Sequence, residues 1–119
     1  MAGMQLRGAA KDIAAQLRFA RTQAVVNGRV QPFDIHPAQR TWSSVRGRHG
    51  TLPTAIEVSF SGAAQLQPRP DAGRIEFYPD GASSGGRIVL RRDDSALQVE
   101  VAWLTGEVSI QALQSPGVR

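Results

Sequence analysis

Few side chains in this chain of 119 residues could carry chemistry, and they are scattered. His36 and His49 lie far apart, with no carboxylates around them at metal-ligand spacing, so both read as surface histidines. Asp93-Asp94 could hold a cation or share a proton, but adjacent carboxylates between two strand-like runs are the ordinary residues of a solvated turn. The chain has no cysteine, which removes disulfides, thiolate metal sites and cysteine nucleophiles together. No serine sits in a nucleophile-elbow context. Ser83-Ser84-Gly85-Gly86 could cradle a phosphate, but no helix follows it and no lysine completes a phosphate-binding loop, so it reads as a turn. No enzyme activity, cofactor or metal is therefore expected. The remaining chemistry is positive charge. The formal net charge is +4, and arginine supplies all fourteen basic residues except Lys11. The row Arg7, Lys11, Arg18 and the loop bearing Arg46 and Arg48 could touch phosphates or anionic lipid, although arginine preference also follows from genome base composition.

The elements that must position these residues begin with a helix over 5–27. Leu6, Ala10, Ile13, Leu17, Ala20 and Ala24 recur in steps of four and three, within about 40° of one line on the helix, and form a core stripe. The opposite row carries Gly8, Asp12, Ala15, Phe19, Thr22 and Val26, where a surface helix should be polar, so a second partner is expected on that face. Arg7, Lys11 and Arg18 line one flank, and Gln5, Asp12, Gln16 and Gln23 the other. Asn27-Gly28 supplies the helix stop. Everything after it reads as strand. Val30–Ile35 and Thr41–Val45 form a hairpin, with Pro32 placing the first strand at an edge or delaying its start. Arg46 to Gly50 reads as a basic loop, and Ala55 to Phe60 as a half-buried strand. The connection over 61–73 has room for a short edge strand at Ala64 to Gln67. Arg74 to Tyr78, Arg87 to Arg92, Leu97 to Trp103 and Glu107 to Ala112 then read as an antiparallel meander.

One helix followed by seven or eight strands, with no second helix for crossovers, is an α+β architecture in a single domain. Residues 5–114 make up that domain: the helix spine, a variable β region at 29–73 and a C-terminal β meander at 74–112. The tail 115–119 has nothing to bury and is expected to be disordered, while Met1–Met4 read as an expression scar ahead of a helix cut from something longer. No stretch approaches the run of about 20 apolar residues that a membrane span needs.

Three segments resemble one family. Phe77-Tyr78-Pro79-Asp80-Gly81-Ala82-Ser83-Ser84-Gly85-Gly86 leading into Arg87–Leu90, the hairpin Val99 to Val108 with Thr105-Gly106 at its turn, and Leu17 to Gly28 with its Ala20-Arg21 pair are similar to the minor pseudopilins called general secretion pathway protein H (GspH/FimT type) and their type IV pilus relatives. The turn residues Phe77, Pro79, Asp80, Gly81, Ser83, Ser84, Gly85, Gly86, Thr105 and Gly106 read as structural: Asp80 can accept backbone N–H bonds and the glycines permit positive φ.

The resemblance implies a type IV pilin-like fold. It also implies a leader and a transmembrane half-helix ahead of this segment, single-pass anchoring in the bacterial inner membrane, and this domain in the periplasm. The function implied is that of a minor pseudopilin of type II secretion. Such a subunit assembles with other major and minor pseudopilins near the tip of a short fibre that helps export folded proteins, with the secreted substrate a further partner. On that reading Ala15, Phe19 and Val26 are the candidate subunit interface, unless a loop of the same domain covers them, and the isolated domain is monomeric. The alternative is a minor pilin of a type IV pilus that binds DNA during uptake through Arg7, Lys11, Arg18, Arg46 and Arg48. An adhesin-like tip protein is a third reading.

Overall fold

The computed structural model describes residues 2–67 and 71–113; the expected tail at 115–119 and positions 68–70 of the proline-rich connection lie outside them. Helix α1 runs Ala2–Asn27, taking in three of the four residues assigned to a scar. Its expected stripe is the buried one: Leu6, Ala10, Ile13, Leu17, Ala20 and Ala24 are at most 2% exposed, and Ala14 joins them. Alanines between the larger side chains let the helix backbone approach the strands closely. The helix ends where its residues say it should. Gly28 takes φ +64° and donates its N–H to the Ala24 carbonyl at 3.0 Å, closing the last turn in the left-handed conformation.

Eight strands follow among the described residues: β1 Gln31–His36, β2 Thr41–Ser43, β3 His49–Thr51, β4 Glu57–Gly62, β5 Gly73–Phe77, β6 Gly86–Arg92, β7 Ser95–Val101 and β8 Val108–Leu113. They form two four-stranded antiparallel sheets, ordered β3-β2-β1-β5 and β4-β6-β7-β8. Helix α1 packs on both sheets with its single buried stripe. Phe33 and Ile35 of β1, Ile75 and Phe77 of β5, Ile88 and Leu90 of β6, and Val99 and Val101 of β7 complete the core, all at most 2% exposed. Trp42 of β2 closes its end of the first sheet by stacking on Phe33, ring centroids 5.7 Å apart.

Four expectations need correction. Pro32 neither marks an edge strand nor delays the start of β1, which begins at Gln31 and lies between β2 and β5. Because β2 pairs only with Asp34–His36, β1 is locally an edge at the proline on that side, and no ladder partner is lost there. Val45 belongs to a 3₁₀ turn, Val45–Gly47, and the basic loop then enters strand at His49 and Gly50, which pair with β2. Ala64–Leu66 is a 3₁₀ turn and not a strand. Finally, β5 leaves the C-terminal meander. Its partner is β1, from Gln31↔Phe77 to Ile35↔Gly73, and β4 takes the vacant place beside β6. The connection 78–85 is too long for a tight hairpin, so β5 and β6 are free to enter different sheets.

Candidate functional site

The three segments of the family pattern meet at one side chain. Arg21 lies beside the buried stripe of α1, directly after Ala20, and its guanidinium reaches two turns at once. Nε donates to the Gly81 carbonyl at 2.8 Å, and Nε and Nη2 donate to the Thr105 carbonyl at 3.2 and 3.1 Å. A planar fork of fixed donors suits two converging carbonyls in a way that a lysine ammonium does not. The turns are built to present those oxygens. Asp80 Oδ1 accepts the Ala82 N–H at 3.0 Å, and Gly81 N donates to Tyr78 O at 2.8 Å. Ser83 Oγ donates to the Ala102 carbonyl and accepts the Gly85 N–H, both at 2.9 Å, which ties the first turn to the second. Ser84 Oγ accepts the Glu76 N–H, fastening the loop to β5.

Gly106 explains the closeness of the two turns. It takes φ +71°, and a Cβ built there would stand 2.1 Å from the Gly81 oxygen and 2.8 Å from Arg21 Nε. No other residue type fits. Phe77 is wholly buried in the core, and Pro79 is exposed at the tip of the loop. The sequence pattern assigns Arg21 no role; its legible signal is an arginine bordering a stripe of alanines that the fold buries.

The candidate interface residues divide. Ala15 is exposed and Val26 is 70% exposed, but Phe19 is half-buried beneath Arg48, whose guanidinium carbon lies 3.9 Å from the ring centroid. A loop of the same domain thus shields part of that face. Arg48 Nη1 also reaches Gln16 Oε1 at 3.4 Å and Arg46 Nη1 reaches Gln23 Oε1 at 3.5 Å, all on the polar flank of α1. On the other flank Arg18 donates to the Val108 carbonyl of β8 at 2.9 Å, with Arg7 and Lys11 exposed along the same row. The fold does not gather the five cations proposed for DNA; it separates them by the exposed face of the helix. Trp103 and Leu104 add exposed apolar surface at the β7–β8 turn, Leu104 with φ +75°.

On the first sheet Asp34 and Arg74 form a bidentate pair at 2.7 and 3.0 Å. That hydrogen bond is the main reason the Arg74 guanidinium is held above its ordinary pKa. Tyr78 is also raised, by burial first and then by the Glu76 carboxylate. His36 on β1 pairs with Thr41 and His49 on β3 with Ser43, so strand β2 separates the two histidines. Asp93 occupies the β6–β7 turn with φ +54°. Among the described residues no three His, Cys, Asp or Glu side chains are grouped to hold a metal ion. The arrangement around Arg21 holds backbone carbonyls in place and offers no reacting group.

The family model of type II transport protein GspH matches residues 9–106. Type II secretion system protein H of Xanthomonas campestris pv. campestris is 54% identical over 114 residues, which span 96% of this chain and 68% of that protein. Among solved structures, the minor pseudopilin EpsH from the type 2 secretion system of Vibrio cholerae shares the fold with a TM-score of 0.64 at 15% identity, over 96% of this chain and 99% of that one. The type IV minor pilin FimU of Pseudomonas aeruginosa does so with a TM-score of 0.71 at 14% identity, over 96% of each chain. The architecture is therefore type IV pilin-like, common to secretion and pilus proteins. The matched span runs from the first turns of α1 to Gly106 and contains every residue of the Arg21 junction, and the chain belongs to the type II transport protein GspH family.

Proposed function

We propose that this chain is the periplasmic domain of a minor pseudopilin of type II secretion, a structural subunit that joins other pseudopilins near the tip of a short fibre and helps move folded proteins across the outer membrane. The observation that carries the reading is the 54% identity, over nearly the whole chain, to a type II secretion system protein H. In the full-length protein a transmembrane half-helix continuous with α1 anchors the subunit in the inner membrane. The exposed row of α1, Ala15 and Val26 with Phe19 between them, packs against neighbouring subunits. No catalytic role is assigned. Dispersal of Arg7, Lys11 and Arg18 from Arg46 and Arg48 weighs against the DNA-binding pilin alternative, since phosphate recognition favours cations gathered on one face.

Complementation tests this reading. In a strain deleted for the gene, the full-length protein should restore exoprotein to the medium. An Ala15→Glu, Val26→Asp variant should restore at most about a tenth as much, with an unchanged melting temperature in the isolated domain, because both positions are solvent-exposed. Secretion that proceeds normally without the gene would sink the functional reading. Full restoration by the double variant would remove the helix row from the interface.

A further inference from the structure

The arginines of this domain differ in what they hold. Arg18, Arg21, Arg40 and Arg74 each place a donor 2.7–2.9 Å from a backbone carbonyl or a carboxylate. Arg46 and Arg48 donate to the neutral amide oxygens of Gln23 and Gln16 alone, at 3.5 and 3.4 Å, and Arg48 also lies over the Phe19 ring. Contacts that long lie at the outer limit of hydrogen bonding. Both residues are exposed, and neither has an ion-pair partner among the described residues.

Their backbone is nevertheless fixed. Val45 is buried at 7% exposure, Ser44 N donates to Arg48 O at 2.8 Å, and Arg48 N donates to Val45 O at 3.2 Å. Arg46 itself takes φ +57°, a left-handed conformation that a residue with a Cβ avoids, followed by Gly47 at φ +73°. A loop anchored at its base thus lays two guanidiniums across the polar flank of α1. Gln16 and Gln23 are seven residues apart, so their contacts are separated by about 10 Å along the axis. Phe19 lies between them, under Arg48, and the exposed apolar row begins alongside.

Guanidiniums gain most from carboxylates, which accept two parallel charge-assisted bonds where an amide accepts one weaker bond. Resting on the assembly reading above, we propose that Arg46 and Arg48, with Phe19 beneath Arg48, form a docking surface for a carboxylate-bearing segment of a neighbouring pseudopilin. The simplest fit is a helix whose acidic side chains lie two turns apart and flank small apolar residues. Gln16 and Gln23 hold the guanidiniums in place until those carboxylates arrive.

The test titrates this domain with the purified periplasmic domain of each other pseudopilin of the same secretion system, at low and at moderate salt. One of them should bind, about tenfold more weakly at the higher salt, because the pairs are screened. Arg46→Gln with Arg48→Gln should weaken binding by tenfold or more and flatten the salt dependence. Gln16→Glu with Gln23→Glu should also weaken binding, by occupying both guanidiniums within the domain, while raising its melting temperature; this pair keeps the test informative if the arginine variant unfolds. Unchanged affinity and salt dependence in both pairs would overturn the docking surface alone. Failure of the parent domain to bind any pseudopilin would overturn the assembly reading and the inference with it. Duplex DNA that binds the parent and not the arginine variant would assign the guanidiniums to phosphate and overturn a protein partner.

Discussion

Arg21 is the side chain that ties α1 to the turns at Gly81 and Thr105, and its replacement shows how much the junction contributes. Arg21→Ala leaves the buried Gly81 and the Thr105 carbonyl without their charged donor, which should cost roughly 2–3 kcal/mol, read as a lower midpoint of denaturant unfolding. Arg21→Lys should recover only part of this, because one ammonium cannot reproduce the fork; full recovery would mean that charge, and not geometry, matters there. Gly106→Ala should be comparably or more damaging, since its Cβ would collide with the Gly81 oxygen. Tyr78 offers a pH test at the same scale. Burial and Glu76 raise its pKa above 10.0 in the folded domain, so the folded state keeps that proton longer than the unfolded one. The stability from Tyr78 is complete below pH 10.0 and is lost as pH rises through the folded value. Tyr78 is the chain's one tyrosine, so tyrosinate absorbance reports it directly: titration should fall above pH 10.0 in the native domain, and Tyr78→Phe should flatten the alkaline decline in stability. Arg74 shifts in the same direction, but its loss lies at still higher pH.

At the scale of elements, α1 does most of the organising. Ala10, Ala14, Ala20 and Ala24 have no accessible surface, so these alanines act as spacers that set the distance from helix to sheets. Ala20→Leu adds volume where there is none to take it and should destabilise by about 1–3 kcal/mol, although leucine is almost as good a helix former as alanine. A neutral effect in thermal melts would show that the helix can lift locally. The periodicity of α1 was fully legible because four-three spacing over about five turns has one physical meaning. The short elements were not legible. A three-residue strand such as β3 carries no period, and His49-Gly50 has no β propensity of its own; it becomes strand because β2 offers it a ladder.

For the whole molecule, the crossing of chains between sheets predicts cooperative unfolding. The first sheet is completed by β5 and the second by β4, so neither sheet is a continuous piece of sequence, and both rest on one stripe of α1. The two tryptophans report separately: Trp42 belongs to β2 in the first sheet, and Trp103 follows β7 in the second. Single-tryptophan variants should therefore show the same denaturant midpoint by fluorescence. Midpoints that differ outside error would mean that the sheets open independently.

Residue order by itself determined the helix and its buried stripe, its stop at Gly28 and the strand-rich remainder. Each of these is written in local spacing or in conformational demands that a few residue types meet. Only the tertiary structure decided that β4 and β5 exchange sheets, that Arg21 joins two turns remote in sequence, that Phe19 is sheltered by Arg48, and that Arg46 and Arg48 lie against the flank opposite the Arg7, Lys11 and Arg18 row. Strand pairing and side-chain convergence depend on which surfaces the helix brings together, and alternation specifies which face of a strand is buried without naming its neighbour.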